Sequence, residues 1–272
     1  MFVLAAGLMT MIGIGWEYST SLYLRGFSDA VIPYTDSPED KVNAILNWME
    51  HGALRRTESS DYEPQNRDPE DTLNYRELLR VCGTATNAFV NLGSSGGLKT
   101  RRLLLLDSEG LNTNHVVAEV WLGDRWIVVD PSFHTVLRDD GGRLLTREEL
   151  AIPSVFNRAV RDIKGYDRAY NYENTMHLHV TALPYIGRYI VRFLNYVFPK
   201  WDDANSINWT ILVERQSYAV LFTGIVLLLS GIFLRGIVNW YGRKHLSVTP
   251  IGLWEQAKQA GFALFLPDQE EP

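Results

Sequence analysis

Three residue types that together can activate a cysteine nucleophile occur along the chain as Cys82, His115 and Asp130. A thiolate attacks a carbonyl carbon, an imidazole carries protons, and a carboxylate orients the imidazole and stabilises its charged form. Cys82 is the only cysteine of the 272 residues. Taken singly, each residue also has a structural explanation, since a lone cysteine is more often a small buried apolar residue. Whether the three can act together depends on the elements that carry them.

His115 and Asp130 fall on two adjacent predicted strands joined by Gly and Asp at residues 123–124, a pair that suits a two-residue hairpin turn. In the register set by that turn, the two side chains point to the same face of the sheet as diagonal neighbours. Their backbones should then lie about 7–8 Å apart, a gap that a histidine and an aspartate can close. A register shifted by one residue would place them on opposite faces.

Cys82 is predicted to begin a helix, because the apolar residues Ala85, Ala88, Phe89 and Leu92 after it recur at three- and four-residue spacing. The start of a helix supplies partial positive charge, and a nearby imidazolium supplies more, so the pKa of the thiol should fall. Backbone N–H groups at this position can also bind the oxyanion that forms when a carbonyl is attacked. The expected site therefore combines a helix start with two strand residues.

A metal site is an alternative reading of some of the same residues. His177 and His179 share one face of a predicted strand, and together with Cys82 and His115 they include zinc-binding residue types. Their spacing matches no established zinc motif. We therefore expect neither a metal nor another cofactor.

The composition indicates a globular protein with a sizeable core, since 46% of the residues are hydrophobic and 21% are charged. The net charge of −6 argues against nucleic acid as the main partner. A single cysteine excludes an intrachain disulfide. Helix-start signals occur at residues 36–39 and 146–149, a polar loop is predicted over residues 55–71, and a short helix over residues 75–81.

Two apolar segments are typical of membrane helices. Residues 218–234 are uncharged, and with residues 236–238 they reach the length that a bilayer requires. Basic residues are more frequent after this segment than before it, which predicts a cytoplasmic tail and a domain on the outer side. Residues 1–16 are also uncharged but short, and we interpret them as an uncleaved anchor, with a truncated start or a core helix as the alternatives.

Between residues 185 and 198, apolar side chains alternate with Arg188 and Arg192 in a helical pattern. Such a helix can lie on a membrane surface, where basic residues meet anionic lipid. It can equally pack against its own domain. The pattern alone leaves both readings open.

The motifs around the three candidate residues resemble the transglutaminase-like superfamily, as a membrane-anchored member of bacterial type. The similarity consists of Cys-Gly at residues 82–83, His-x-x-x-Glu-Val at residues 115–120 and Trp-x-x-x-Asp-Pro at residues 126–131. It extends over roughly residues 36–149. The resemblance implies a papain-like α+β core, in which a cysteine-bearing helix packs on an antiparallel sheet. It also implies Cys82 as nucleophile, His115 as general base and acid, and Asp130 as orienting carboxylate.

Two positions depart from the pattern of that family. Val117 stands two residues after the histidine, where the family often has an aromatic residue, and Val81 stands where a small residue often precedes the cysteine. Neither change removes a catalytic group, although both concern the substrate cleft. No side-chain oxyanion donor can be assigned from the sequence, and Trp48 is only a weak candidate.

The leading functional hypothesis is a membrane-anchored cysteine hydrolase or acyltransferase. It would act on an amide or ester carbonyl, for example of a peptide, through a Cys82 thioester that water or an amine resolves. The alternative is a non-catalytic, membrane-tethered interaction domain with the same fold. The predicted organisation is a membrane anchor at 1–16, a transglutaminase-like domain at 28–183, an amphipathic juxtamembrane segment at 184–217, a transmembrane helix at 218–238 and a cytoplasmic tail at 239–272.

Overall fold

The structure is a computed structural model that describes residues 2–34, 37–52, 63–178, 187–199, 201, 215–245 and 261. Its helices are α1 (Phe2–Val31), α2 (Pro38–His51), α3 (Pro69–Asn74), α4 (Cys82–Ser95), α5 (Arg147–Leu150), α6 (Pro153–Ala159), α7 (Gly187–Val197) and α8 (Gln216–His245). The strands are β1 (Thr100–Leu106), β2 (Thr113–Leu122), β3 (Arg125–Asp130), β4 (Thr135–Val136) and β5 (Thr175–Met176). The α+β fold class expected from the sequence is confirmed.

The strands form one antiparallel sheet in the order β4-β3-β2-β1-β5. The register of β2 and β3 is the predicted one, with Trp121 opposite Trp126 and Leu122 opposite Arg125. Gly123 takes a positive φ of 67° as the first turn residue, as a Gly-first hairpin requires. The hairpin therefore places alternate residues of β2, His115 included, on a single face.

Helices α2 and α4 cover one face of the sheet. The core on this side joins apolar residues of both helices to alternate residues of β2 and β3: Val42, Ile45, Leu46, Met49, Ala85, Ala88, Phe89, Leu92, Ala118, Val120, Ile127 and Val129. The cysteine-bearing helix thus packs on the antiparallel sheet, as the family resemblance implies.

The opposite face is covered by α5, α6 and the segment between α6 and β5. Leu103, Val117 and Val128 of the sheet pack there with Leu150 and Phe156 and, further along the chain, with two buried tyrosines, Tyr166 and Tyr172. The sheet is therefore enclosed on both sides, and the face that carries His115 is the one lined by tyrosines.

Local capping signals account for several helix starts. Ser37 caps α2 by accepting a hydrogen bond from the N–H of Asp40, while Asp36 lies outside the described residues. Thr146 and Glu149 form the predicted capping box at the start of α5.

Three local predictions differ from the structure. Helix α3 begins at Pro69, inside the segment expected to be a loop, because Asp68 caps it and proline suits a first helical turn. The short helix expected over residues 75–81 is a single 3₁₀ turn at Leu78–Arg80. The strand expected around His177 ends at Met176, and His179 lies outside the described residues.

The chain divides into two compact units. One runs from Thr20 to Gln216 and contains the sheet. The other comprises Met1–Ser19 and Ser217–Pro272, and within it the apolar helices α1 and α8 pack together. A β-carbon built at Gly224 would lie 2.9 Å from the backbone nitrogen of Thr10, so the two helix backbones approach closely where glycine stands.

Helices α1 and α8 are each 30 residues long and apolar enough to cross a membrane. Helix α1 is longer than the anchor predicted over residues 1–16, since it continues through Glu17 and Arg25 to Val31. Its final turns carry Leu24 and Ser28, which are buried in the sheet-containing unit. Length and apolarity together suggest association with a membrane.

Candidate active site

Cys82 occupies the first position of α4, directly after Val81 in extended conformation. Its sulfur accepts hydrogen bonds from the backbone N–H groups of Val116 and Gly83. One turn further along α4, the Thr86 hydroxyl donates to the carbonyl oxygen of Val116 over 3.1 Å. Cys82 and Thr86 of α4 therefore both hydrogen-bond to the backbone of Val116, the residue that follows His115. These contacts fix the position of the helix start along β2.

His115 and Asp130 meet as the hairpin predicts. The Nε2 atom of His115 lies 2.7 Å from Oδ2 of Asp130, and both side chains are buried. Since Nε2 donates to the carboxylate, Nδ1 is the ring nitrogen left for the sulfur of Cys82, with which the imidazole is also hydrogen-bonded. The structure thus brings all three candidate residues into one hydrogen-bonded chain.

The second carboxylate oxygen of Asp130 is held by the turn that follows β3. Oδ1 accepts from the Ser132 hydroxyl at 2.7 Å, from the Ser132 N–H at 3.1 Å and from the Phe133 N–H at 3.4 Å. The Tyr166 hydroxyl also hydrogen-bonds to the carboxylate. With no exposed surface and several donors, Asp130 is fixed in position as an acceptor for the imidazole.

Three aromatic rings enclose the imidazole of His115. Tyr170 stacks on it in parallel, with ring centroids 4.2 Å apart and planes inclined by 3°. Phe133 and Tyr166 approach at steeper angles, with centroids 6.2 and 6.1 Å from that of the imidazole. We call Phe133, Tyr166 and Tyr170 the aromatic enclosure.

Sequence reasoning missed the aromatic enclosure. Tyr166 and Tyr170 lie between α6 and β5 in a segment without strand or helix periodicity, far along the chain from His115. The available signal was the clustering of three tyrosines, at residues 166, 170 and 172, in a short polar stretch.

The electrostatics of the pair favour an ionised thiol and a protonated imidazole. The hydrogen bond with His115 lowers the pKa of Cys82 against the opposing effect of partial burial, with help from the imidazolium charge and the two backbone donors. Burial by itself would lower the pKa of His115, but the hydrogen bonds to Asp130 and Cys82 outweigh it and raise this pKa to about 9. Both shifts favour a thiolate–imidazolium pair over a neutral thiol beside a neutral imidazole.

A second charged cluster lies on the same face of β2 as His115, around Glu119, which stands four residues further along the strand. Oε2 of buried Glu119 lies 2.7 Å from Nε of Arg101 and 2.8 Å from Nε2 of His177. The Arg101 guanidinium also stands 4.0 Å above the ring of Trp126. Burial would raise the pKa of Glu119, but the His177 hydrogen bond and the Arg101 charge lower it. This ion-pair network joins β1, β2 and the residue after β5.

His177 is thus bound to Glu119, a carboxylate, and the structure does not join it to Cys82 and His115. Among the described residues, no group of three or more His, Cys, Asp and Glu side chains is arranged to hold a metal ion. Trp48, the weak candidate for an oxyanion donor, packs edge-on against Phe27 at 5.0 Å beside the α2–α4 core. Of the two departures from the family pattern, Val117 is buried in the core and Val81 is exposed next to Cys82.

Residues 25–131 match the family model described as the transglutaminase-like superfamily. The chain carries a transglutaminase-like domain. The matched segment contains α2, α4, the β1–β3 sheet and all three candidate residues, so the resemblance of the motifs and the observed fold agree. No curated protein and no solved structure gives a significant match to the chain. Domains of this superfamily are often cysteine enzymes, and Cys82 is the one cysteine of this chain.

Proposed function

We propose that the protein is a membrane-anchored cysteine enzyme that acts on an amide or ester carbonyl through a thioester at Cys82. The observation that carries the proposal is the hydrogen-bonded chain from the thiol through His115 to Asp130, with a lowered pKa for the thiol and a raised one for the imidazole. A lone buried cysteine needs no such partners, and burial without them would raise its pKa.

In the proposed reaction, the Cys82 thiolate attacks the carbonyl carbon, and the carbonyl electron pair moves to the oxygen. Collapse of this intermediate breaks the bond to the amine or alcohol, which leaves with the proton that His115 donates. Water or an amine then attacks the thioester while His115 takes up its proton. The carbon–sulfur bond breaks, the acid or new amide departs, and the thiolate–imidazolium pair is restored.

Two features of the site support stabilisation of the oxyanion and the imidazolium. Cys82 stands at the start of α4, where the partial positive charge of the helix start would stabilise the negative charge that develops on the carbonyl oxygen. Asp130 accepts from the imidazole and carries the compensating negative charge. Whether water or an amine resolves the thioester depends on the acceptor that reaches the exposed side of Cys82.

We further propose that the domain faces the extracytoplasmic side. The last turn of α8 contains Arg243, Lys244 and His245, while residues 201–215, just before the helix, contain a single basic residue, Arg215. An excess of basic residues after a spanning helix favours a cytoplasmic position for that end. The sheet-containing unit, before α8 in the chain, would then lie on the opposite side of the membrane.

The test is the reactivity of Cys82 toward iodoacetamide in the full-length protein. We expect labelling at pH 7 to be fast, and the His115→Ala variant to label at least tenfold more slowly, because the thiol pKa returns toward about 8.5. Ionised Cys82 should also raise the absorbance at 240 nm. His51→Ala is the matched control, since this histidine is exposed and paired with Glu50.

A non-catalytic, membrane-tethered interaction domain is the competing function. It predicts slow labelling of Cys82 that does not change when His115 is replaced. It also predicts that an activated acyl ester leaves no thioester on Cys82, as judged by the intact mass. Either result would remove the basis for the enzyme proposal.

A further inference from the structure

Helix α7 exposes a continuous aromatic face. Tyr189, Phe193, Tyr196 and Val197 follow one another at the spacing of a single helix face. Their side chains are 70%, 64%, 88% and 42% exposed, respectively. We call these four residues the aromatic face of α7. Soluble surfaces rarely carry contiguous apolar patches of this kind without a partner.

The exposure of the aromatic face disfavours the reading in which this face packs on its own domain. Ile190, Val191 and Leu194, which adjoin the aromatic face around the helix, are partly buried, and within α7 only Gly187 is fully buried. Among the helices and strands that the structure describes, none packs extensively along α7. The helix is thus attached through one side and presents its aromatic face outward.

The charge of α7 complements an anionic surface. Arg188 and Arg192 lie along one edge of the aromatic face and are exposed, and the sequence of α7 contains no acidic residue. Tyrosine and arginine are suited to the boundary of a bilayer, where an apolar ring can enter the acyl region while charged groups remain among the headgroups. A surface helix with aromatic residues on one face and arginines beside them has the composition of interfacial helices.

The position of α7 in the chain also points to a bilayer as the occupant. From Val197 the chain leads to Gln216, where the apolar, membrane-length helix α8 begins. Because only residues 198–215 separate the two helices in sequence, α7 stays close to any membrane that α8 crosses. We infer that the aromatic face of α7 docks onto an anionic phospholipid bilayer, with Arg188 and Arg192 binding the headgroup phosphates.

This docking is independent of the chemistry of Cys82, and it can be tested in a protein that lacks the thiol. Cys82→Ala provides a cysteine-free background, into which Phe193→Cys or Asn195→Cys introduces one labelling position. Phe193 belongs to the aromatic face, whereas Asn195 is exposed on the polar side. Each full-length variant is labelled with an environment-sensitive fluorophore and reconstituted into phosphatidylcholine vesicles containing phosphatidylglycerol.

We expect the label at position 193 to be quenched by shallow nitroxide lipids and protected from aqueous iodide, and the label at position 195 to show the reverse. Equal iodide quenching at both positions would overturn the inference. Protection of position 193 from both quenchers would also overturn it, because a second copy of the chain or another protein would then cover the face.

The charge requirement is tested with Arg188→Gln combined with Arg192→Gln in the position-193 labelled protein. Each arginine near an anionic surface contributes a favourable free energy of binding. Loss of both should weaken the docking equilibrium roughly 30-fold. We expect lipid quenching to fall accordingly, and also in vesicles of phosphatidylcholine alone. Lys164→Gln combined with Arg168→Gln removes the same number of exposed charges elsewhere and should have no effect. If lipid quenching changes neither in the Arg188→Gln/Arg192→Gln protein nor in vesicles of phosphatidylcholine alone, anionic headgroups are excluded as the ligand.

Discussion

His115 is the residue on which the proposed chemistry depends, because it bonds to Cys82 and Asp130 at once. Its burial opposes a charge, yet the carboxylate at 2.7 Å and the thiol together raise its pKa to about 9. A group with a raised pKa is protonated over a wider range of pH. The imidazolium that donates to the leaving group is therefore present at neutral pH and is lost only as the pH rises through about 9.

We predict that one histidine of the protein titrates near pH 9. Histidine NMR on the ¹³C-labelled protein should show this signal, and His115→Gln should remove it. Cys82→Ala should lower the titration midpoint, because the thiol accounts for part of the upward shift. Midpoints between pH 6 and 7 for every histidine would contradict the ion pair.

The aromatic enclosure leads to a second prediction at the scale of single residues. The parallel stack of Tyr170 on His115 keeps water from one ring face and places π-electron density against a cation. Tyr170→Ala should lower the His115 midpoint by about half to one pH unit, from an interaction of about 0.5–1.5 kcal/mol. Tyr170→Phe keeps the stack and should leave the midpoint nearly unchanged. A midpoint that rises in Tyr170→Ala would mean that exclusion of water is the larger effect.

At the scale of elements, the contact between α4 and β2 decides how the thiol meets the imidazole. Cys82 accepts from the N–H of Val116, and Thr86 donates to the carbonyl of the same residue. The two residues stand one turn apart on the helix, so both contacts follow from a single relative position of helix and strand. The other contacts of His115 come from Tyr166 and Tyr170. The segment that carries these tyrosines covers the face of the sheet opposite to α4.

Replacing Thr86 tests this contact. Thr86→Val preserves the shape but removes the buried donor, so the free energy of unfolding should fall by about 1–2 kcal/mol. The labelling rate of Cys82 should fall as well, since the helix start is no longer held beside His115. Thr86→Ser keeps the hydroxyl and serves as the control. If both variants label at the wild-type rate, the helix start is positioned by the apolar core alone.

At the scale of the whole molecule, the chain combines a transglutaminase-like domain with two apolar helices of membrane-crossing length. In lipid, helices associate through close packing rather than through exclusion of water, and small residues allow their backbones to approach. Gly13 and Gly224 stand at such approaches, where an added β-carbon would lie 2.7 Å from the Cα of Leu221 and 2.9 Å from the nitrogen of Thr10, respectively.

We predict that Gly224→Ala weakens the pairing of α1 and α8. The added methyl group must displace the backbone of Thr10, and overpacking of this kind costs about 1–3 kcal/mol. Gly236→Ala, on the same helix but with no atom within 4 Å of the new carbon, is the control for helix propensity. Unfolding in detergent should show a loss of stability for Gly224→Ala only, and equal behaviour of the two variants would contradict the close approach.

The features that could be predicted from the sequence are those that local interactions determine. The hairpin register follows from a glycine that can adopt positive φ, and the start of α4 follows from helical spacing after Cys82. Both depend on residues close in sequence, so the proximity of His115 and Asp130 could be worked out in advance. The family resemblance added the helix-on-sheet packing, which the matched segment 25–131 supports.

The sequence by itself thus determined the candidate residues, the hairpin that joins two of them, and the two apolar segments of membrane character. Only the tertiary structure decided the aromatic enclosure of His115, the bond between His177 and Glu119, and the outward face of α7. These depend on contacts between segments far apart in the chain, where neither periodicity nor turn chemistry indicates a partner. Whether an apolar helix face is covered is likewise a property of the packed molecule, because a periodic pattern describes the face but not what lies against it.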